Sequence, residues 1–223
     1  MERNRNKIIK KMKYLSIDIE TTAIKPENGQ ILSIGIIIED TNNLLSFEDI
    51  PKLHRIFNHK KIYGEPFALN MNAGLIETIK EGKSEELMEP RKLAQRFNNF
   101  LYENGMKHYD NVYWQNSLTK EQKLEITPLL PYSVDKKIRL NAAGKNFGTF
   151  DKIWLENEEY FNQYFEFHQR VLDPGNLFVN FKNDEWIPNL SLCKERSDLK
   201  YTGVTHNALE DAWDVIQVLR TKY

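Results

Sequence analysis

The alternation of apolar and polar residues predicts a pair of strands near the start of the chain. Residues 14–22 read YLSIDIETT, so three aliphatic side chains fall on one face while Ser16, Asp18 and Glu20 fall on the other. Residues 31–40 read ILSIGIIIED and are rich in β-branched side chains, which favour strands. Turn-forming residues in KPENGQ separate the two segments. The pattern therefore predicts a β-hairpin with a long loop.

The rest of the chain alternates between helical and strand-like patterns. Residues 91–105 repeat apolar side chains near the helical period and end at a glycine, and residues 207–220 form the clearest helical pattern. Between them, residues 138–144 predict a strand entering a turn, and residues 150–165 predict a further helix. This succession predicts an α/β fold in which helices pack on a mixed β-sheet.

Composition indicates one globular domain and excludes several other classes. The 223 residues are 40% hydrophobic with a mean hydropathy of -0.61, which is typical of a globular protein. The single cysteine, Cys193, excludes an intrachain disulfide and a cysteine-rich metal site, and it favours a cytoplasmic protein. The longest apolar run, residues 31–38, is far shorter than the roughly 20 residues of a membrane helix, and no signal-peptide core precedes Asp18. We expect no membrane association.

Charge is distributed unevenly along the chain. Residues 1–13 carry a net charge of +5, whereas the whole chain carries -1, so the remainder carries -6. A protein that grips a long nucleic-acid backbone usually has a broad basic surface, because each neutralised phosphate contributes to affinity. We therefore expect few phosphate contacts. The simplest interpretation of the basic start is a solvated, frayed terminus, since charged ends are common.

Two acidic residues end the first predicted strand. Asp18 and Glu20 lie two positions apart, so both side chains leave the same face, separated by about 7 Å of backbone rise. That arrangement lets both carboxylates converge on one cation. Buried anions are costly without a cation, although the strand end could also emerge into solvent with two ordinary surface acids.

The last predicted helix adds a third acid and a histidine. Its apolar stripe comprises Ala208, Ala212, Val215, Ile216 and Leu219. Asp211 lies at the edge of this stripe, where a half-buried carboxylate requires a metal ion or an ion-pair partner. Asp214 lies further from the stripe and is expected to meet water. Asn207 and Glu210 match a helix-capping pattern, which places His206 just before the first turn.

Asp151 follows the turn AAGKNFG, in the first turn of a predicted helix. Acidic residues are favoured at such positions because they face the positive end of the helix dipole. Its position alone therefore does not indicate a catalytic role.

Taken together, these segments resemble the DEDDh family of 3′-to-5′ exonucleases, the DnaQ-like branch of the RNase H-like fold. The acid-x-Glu-Thr strand of the family resembles residues 16–22, its asparagine-to-aspartate turn resembles residues 144–151, and its His-x4-Asp helix start resembles residues 206–211. Residues 66–75 resemble the family's loop beside the terminal nucleotide, and residues 170–174 resemble a structural acidic turn. Each motif is short, but their order and structural contexts make the combination specific.

The resemblance runs from about residue 14 to the end of the chain. It implies a single exonuclease domain over residues 1–223, with an RNase H-like mixed β-sheet flanked by α-helices. Residues 1–13 then form a basic N-terminal extension, and residues 106–135, which match no part of the family, form an insertion.

The resemblance also implies a two-metal mechanism. Two Mg²⁺ or Mn²⁺ ions would lie about 4 Å apart. Asp18 would bridge both ions, Glu20 and Asp211 would complete the shell of the first, and Asp151 would hold the second. His206 would act as the general base. Oxygen ligands suit these hard cations, and the lack of cysteines argues against zinc.

The implied substrates are 3′ ends of single-stranded RNA or DNA, or short oligonucleotides. By resemblance, the residues that would surround the substrate are Thr21, Thr22, Met71, Asn72, Leu75 and Asn146. Three alternatives remain open: a nuclease-like fold that binds nucleic acid without cleaving it, a phosphodiesterase acting on nucleotides or cyclic dinucleotides, and a metal-independent interaction protein with ion-paired acids. Many relatives are dimers, so a homodimer also remains open.

Overall fold

The structure, a computed structural model, describes residues 12–112, 119–125, 129–199 and 207–223. Its strands, in chain order, are β1 (Lys13–Thr21), β2 (Ile31–Asp40), β3 (Lys52–Phe57), β4 (Leu87–Met88), β5 (Ile138–Leu140), β6 (Ala142–Ala143) and β7 (Phe165–Phe167). Its helices are α1 (Pro66–Met71), α2 (Ala73–Glu81), α3 (Leu93–Glu103), α4 (Lys120–Glu125), α5 (Asp151–Asn157), α6 (Glu159–Tyr164), α7 (Pro174–Phe178), α8 (Leu190–Arg196) and α9 (Ala208–Arg220).

The main sheet has the strand order β4-β3-β2-β1-β6. The central pairs β1–β2 and β2–β3 are antiparallel, whereas β6 lies parallel to β1 and β4 lies parallel to β3. The predicted hairpin is therefore confirmed, and its register places Asp18 opposite Gly35. The prediction of a mixed sheet flanked by helices is confirmed as well.

Two predicted elements are divided in the structure. The strand predicted over residues 138–144 is interrupted at Asn141, so β5 pairs with β7 in a second sheet while β6 pairs with β1. The helix predicted over residues 150–165 ends at Asn157, restarts as α6, and gives way to β7 at Phe165. The helix ends there because residues 165–167 alternate as a strand does. Phe165 and Phe167 are buried, whereas Glu166 between them faces the surface and accepts a hydrogen bond from Arg139.

Helices cover both faces of β1. On one face, Leu15, Ile17 and Ile19 join a large core with α3, α5, α6 and β7. On the other face lies α9, whose apolar stripe packs against Tyr14 and Ile37. Because both faces are covered, any acid on β1 lies at a largely buried position.

Close packing at both ends holds α9 against the sheet. Near its start, Gly35 contacts the Ala208 backbone so closely that a β-carbon would overlap it, and the Ser16 hydroxyl donates to the Ala212 carbonyl at 2.7 Å. At its end, Arg220 donates two hydrogen bonds, 2.9 and 2.7 Å long, to the fully buried carboxylate of Glu39. This two-point attachment fixes the helix relative to β1 and β2.

The expectation that Asp214 meets water is only partly met. Its side chain is 17% exposed, and it accepts a hydrogen bond of 2.6 Å from Lys194, whose side chain is 4% exposed. The helical angle correctly separates Asp214 from the apolar stripe, but α8 supplies a buried lysine on that side. Asp214 therefore belongs to a structural ion pair.

The proposed insertion is described in part, through residues 106–112, α4 and residues 129–135. Val112 and Leu129 form an isolated antiparallel bridge. Residues 1–11 of the basic extension lie outside the described residues. None of the helices in the described part of the chain has the length and apolar character needed to cross a bilayer.

Candidate metal centre

Three carboxylates converge where β1 meets the start of α9. Ligand oxygens of Asp18, Glu20 and Asp211 lie within 4.8 Å of one another. Asp18 and Glu20 leave the same face of β1, as their spacing predicts, and α9 lies directly on that face because Gly35 lets its first turn approach. The cluster therefore depends on a close contact between helix and sheet.

Asp151 adds a fourth carboxylate from the first turn of α5. Its side chain is almost fully buried, and its Oδ1 accepts a hydrogen bond of 3.1 Å from the backbone amide of Ile19, which lies between Asp18 and Glu20. The neighbouring strand β6 ends opposite Ser16, so this amide lies beyond the paired part of that strand edge. Asp151 thus completes the backbone hydrogen bonding of β1 while bringing its charge close to Asp18.

Burial and mutual repulsion shift the pKa values of these acids upward. Burial is the largest cause of the raised pKa of Asp18, followed by the charges of Asp151, Asp211 and Glu20. Burial and the charge of Asp211 raise the pKa of Glu20 to about 7, although a hydrogen bond from Asn72 opposes the shift.

Asp151 shows the same effect. Burial raises its pKa to about 7, its own amide and that of Ile19 oppose the rise, and the charge of Glu20 adds to it. The site therefore concentrates negative charge that a cation would relieve.

The turn before α5 positions Asp151. Asn146 has a left-handed backbone with φ of 61°, and its carbonyl accepts the amide of Phe150 at 3.0 Å. Its own amide donates to Asp173 at 3.0 Å, and its side-chain oxygen accepts a hydrogen bond of 2.7 Å from Lys145. Asp173 also caps α7 through Gly175, consistent with the structural role predicted for it. Asn146 is thus part of the turn that presents Asp151.

Helix α1 is attached to the end of β1. The Asn72 side chain donates to the Thr21 carbonyl at 3.1 Å and also hydrogen-bonds Glu20. The Thr22 carbonyl accepts the amide of Glu65 at 2.7 Å, while its hydroxyl accepts the amide of Gln30 at 2.7 Å. Two of the predicted substrate residues, Asn72 and Thr22, therefore hold the edge of the carboxylate cluster in place.

The remaining predicted substrate residues differ in exposure. Met71 is exposed, Thr21 is buried and donates its hydroxyl to the Ala23 carbonyl, and Leu75 packs partly buried against the core beneath α2. Sequence reasoning missed two exposed apolar side chains beside them, Ile24 and Phe67, which are 71% and 78% exposed. Phe67 lies one helical turn before Met71, a spacing that the sequence displays but does not distinguish from core packing.

His206 lies outside the described residues, so its predicted role as general base stays a prediction. The predicted helix start next to it is confirmed, because the Asn207 side chain accepts the amides of Leu209 and Glu210 at 3.0 and 3.3 Å. The chain therefore enters α9 directly after His206, five residues before Asp211.

The donor set of the cluster fits a hard divalent cation. Every side chain in it is a carboxylate, and Mg²⁺, Mn²⁺ and Ca²⁺ prefer oxygen ligands. The raised pKa values give the same indication, because carboxylates placed this closely need a positive charge to remain ionised together. Asp18, Glu20 and Asp211 could hold such an ion.

Comparison with solved structures identifies the fold. A zinc-bound complex of E. coli exonuclease I with single-stranded DNA and a further structure of exonuclease I both match with a TM-score of 0.57 and 14% identity. A third structure, its complex with a dT13 oligonucleotide, matches with a TM-score of 0.56 and 13% identity. The fold is RNase H-like.

The RNase H-like match covers 94% of this chain but 40% of the exonuclease I chain. At this level of identity the likeness establishes the fold and leaves the activity open. No protein-family model and no curated protein matches the sequence. The function must therefore be argued from the carboxylate cluster itself.

Proposed function

We propose that this protein is a metal-dependent 3′-to-5′ exonuclease of the DEDDh, DnaQ-like type. The observation that carries the proposal is the convergence of Asp18, Glu20 and Asp211, with Asp151 beside them, on an RNase H-like fold. A structural role alone does not account for the cluster, because several ionisable groups with raised pKa values destabilise the fold until a cation or protons neutralise them.

The carboxylates would hold two Mg²⁺ or Mn²⁺ ions. Asp18 would contact both, Glu20 and Asp211 would complete the ligands of one, and Asp151 would serve the other. When bound, divalent cations neutralise charge on a scissile phosphate, acidify water and stabilise a leaving oxygen. The structural contribution of the protein is to fix its four carboxylates on β1, α5 and α9 before substrate arrives.

His206 would act as general base. In the sequence it directly precedes Asn207, the cap of α9, and the first turn of that helix carries Asp211. A neutral imidazole accepts the proton of the attacking water, so activity should rise from about pH 6 to 8 as the histidine deprotonates.

The end of β1 and helix α1 would bind the terminal nucleotide. Asn72 and Thr22 would position the sugar and its 3′ hydroxyl, and the exposed side chains of Met71, Phe67 and Ile24 would contact base faces. The complexes of exonuclease I with single-stranded DNA support this substrate class. Thr21, Leu75 and Asn146 would contribute indirectly, by holding in place the backbone of the end of β1, of α2 and of the turn before α5.

The proposal is tested with 5′-labelled single-stranded RNA and DNA in Mn²⁺ or EDTA. We expect a ladder that shortens from the 3′ end only with the cation, and no ladder with Asp18→Asn. Glu210→Gln, which changes an exposed acid on α9, is the matched control and should cleave normally. Binding without shortening would instead indicate a nucleic-acid-binding protein, and cleavage limited to cyclic dinucleotides would indicate a phosphodiesterase.

Three further properties stay predictions. The chain is expected to form one exonuclease domain with an insertion at residues 106–135, to function in the cytoplasm, and to be able to form a homodimer. Sedimentation of the purified protein would test the last of these.

A further inference from the structure

A concave surface that does not include the carboxylate cluster lies between the segment after β3 and helices α1 and α2, and its volume is about 800 Å³. Its floor is apolar and is formed by Ile62, Leu69, Ile76 and Ile79, which pack with the core beneath α2. The volume lies within the range of about 300–1,000 Å³ typical of ligand sites. We call this surface the α1–α2 cleft.

The rim of the α1–α2 cleft is cationic and polar. Lys60 and Asn58 line it from the segment after β3, Asn70 lines it from α1, and Lys80 lines it from α2. Lys80, Asn58 and Asn70 have exposed side chains that form no hydrogen bond or ion pair with any described residue. Lys60 has a carboxylate within electrostatic range, that of Glu89. The rim thus presents two cations and two amides to solvent.

A histidine that lines the cleft is held by two hydrogen bonds. His59 Nε2 lies 2.7 Å from the Ile31 carbonyl, and Nδ1 lies 3.1 Å from the Gln30 side-chain nitrogen. Both ring nitrogens therefore have partners within the protein. The lysines that line the cleft, Lys60 and Lys80, supply its permanent positive charge.

The cleft lies next to the exposed face of α1 that carries Phe67 and Met71. Successive residues of a helix are rotated by about 100°, so Asn70, three residues after Phe67, lies about 60° from it around the helix. Asn70 therefore lies between that exposed face and Leu69, which lines the cleft. Asn72, on the third side, hydrogen-bonds Glu20 and Thr21. A strand that ends at the carboxylate cluster and crosses Met71 therefore meets the rim of the cleft next.

We propose that the α1–α2 cleft binds the nucleotides immediately upstream of the 3′-terminal one, with Lys60 and Lys80 contacting phosphates and the apolar floor contacting a base. This inference rests on the proposed function and adds a substrate class to it. The preferred substrate is a single strand several nucleotides long, in contrast to a mononucleotide or dinucleotide. Single-strand binders combine a cationic groove that follows the backbone with side chains on which the bases stack. In the α1–α2 cleft the two lysines would supply the cationic groove, and the aliphatic floor would contact the base in place of an aromatic side chain.

The test measures binding of 5′-fluorescent dT oligonucleotides of two and six nucleotides in EDTA, which prevents cleavage. The variant Lys60→Ala/Lys80→Ala should bind the six-nucleotide strand about tenfold more weakly and the two-nucleotide strand unchanged, a loss equivalent to about 1.4 kcal/mol. Its salt slope should fall by about 1.4, because each single-strand phosphate contact contributes about 0.7. The matched control is Lys61→Ala/Lys83→Ala, which removes two exposed lysines outside the cleft.

A second variant places a negative charge in the cleft without removing a lysine. Ala73 is exposed, lines the cleft and begins α2, a position where an acid is compatible with the helix dipole. Ala73→Glu should weaken binding of the six-nucleotide strand and leave the melting temperature unchanged within about 2 °C.

The results separate this inference from the proposed function. If Lys60→Ala/Lys80→Ala binds the six-nucleotide strand with wild-type affinity and salt slope, or weakens both lengths equally, the cleft does not hold upstream nucleotides. Length-dependent binding lost in this variant, in a protein that never shortens a strand, would support the cleft and refute the exonuclease proposal. A protein that shortens strands from the 3′ end but binds both lengths equally would support the exonuclease proposal and refute the role of the cleft.

Discussion

Glu20→Gln should stabilise the metal-free protein, although it removes a residue from the proposed catalytic centre. The structure buries Glu20 beside Asp211, and these surroundings raise its pKa from an ordinary value of 4.5 to about 7. A carboxyl whose pKa is raised by folding is protonated preferentially in the folded state. It therefore favours folding below about pH 4.5 and loses that contribution as pH rises through about 7.

The magnitude follows from the shift. The rise of the Glu20 pKa from 4.5 to about 7 is equivalent to about 3 kcal/mol of stability. Glutamine keeps the shape and the contact with Asn72 but carries no charge, so it avoids this cost at pH 8. For a chain of this size, about 3 kcal/mol corresponds to a melting temperature about 6–12 °C higher.

The assay is thermal unfolding in EDTA at pH 8 and pH 4, followed by the same scans with Mn²⁺. We expect the gain of Glu20→Gln at pH 8 to shrink close to zero at pH 4, and Mn²⁺ to stabilise wild type more than the variant. Glu210→Gln, which changes an exposed acid on α9 next to Asp211, should change stability by less than about 0.5 kcal/mol. A Glu20→Gln protein that melts below wild type at pH 8 would refute the charge-crowding account.

Three other changes test separate parts of the site. Asp151→Asn should keep the hydrogen bond from Ile19 and the fold while abolishing cleavage, and Asp151→Ala should be about 1–3 kcal/mol less stable than Asp151→Asn in urea unfolding because it leaves that buried amide unpaired. His206→Ala should reduce turnover about 10²–10⁴-fold at saturating Mn²⁺ and remove the rise in rate between about pH 6 and 8. Gly35→Ala should cost about 1–3 kcal/mol and weaken Mn²⁺ binding measured by calorimetry, because the new methyl group overlaps the first turn of α9. Gly74→Ala, where space is open, should be neutral or stabilising.

Each of these expectations can fail. Equal stability of Asp151→Asn and Asp151→Ala would show that the Ile19 hydrogen bond contributes little. Full turnover of His206→Ala would assign proton transfer to another group. Unchanged Mn²⁺ affinity in Gly35→Ala would mean that the approach of α9 to the sheet does not set the carboxylate spacing.

The sequence predicts the central hairpin and the last helix because each has an unambiguous period. Alternation over residues 14–22 places Asp18 and Glu20 on one face, and the stripe of α9 places Asp211 at its edge. Their approach to one another, however, depends on Gly35, whose missing side chain admits the helix. Nothing local to the glycine indicates that contact, so only the family resemblance united the three acids.

Elsewhere, partners distant in the sequence determine where elements end and which side chains are paired, and the local pattern does not predict either. Asn141 separates β5 from β6 because the residues before it pair with β7 and the residues after it pair with β1. Asp214 is paired because α8 provides Lys194. Asp151 has an ordinary helix-start position, and its link to Ile19 spans 132 residues. Such contacts are fixed by tertiary packing, which helical and strand periods do not encode.

The attachment of α9 at its far end bears on the carboxylate cluster. Asp211 and Arg220 are separated by about 14 Å along the helix axis. A rigid rod of that length, tilted by about 4° around the Arg220–Glu39 ion pair, moves the Asp211 carboxylate by about 1 Å. Displacements of that size are enough to slow catalysis about a hundredfold. The buried pair at the far end of α9, together with the contacts of its first turns, thus limits how far the Asp211 carboxylate can move.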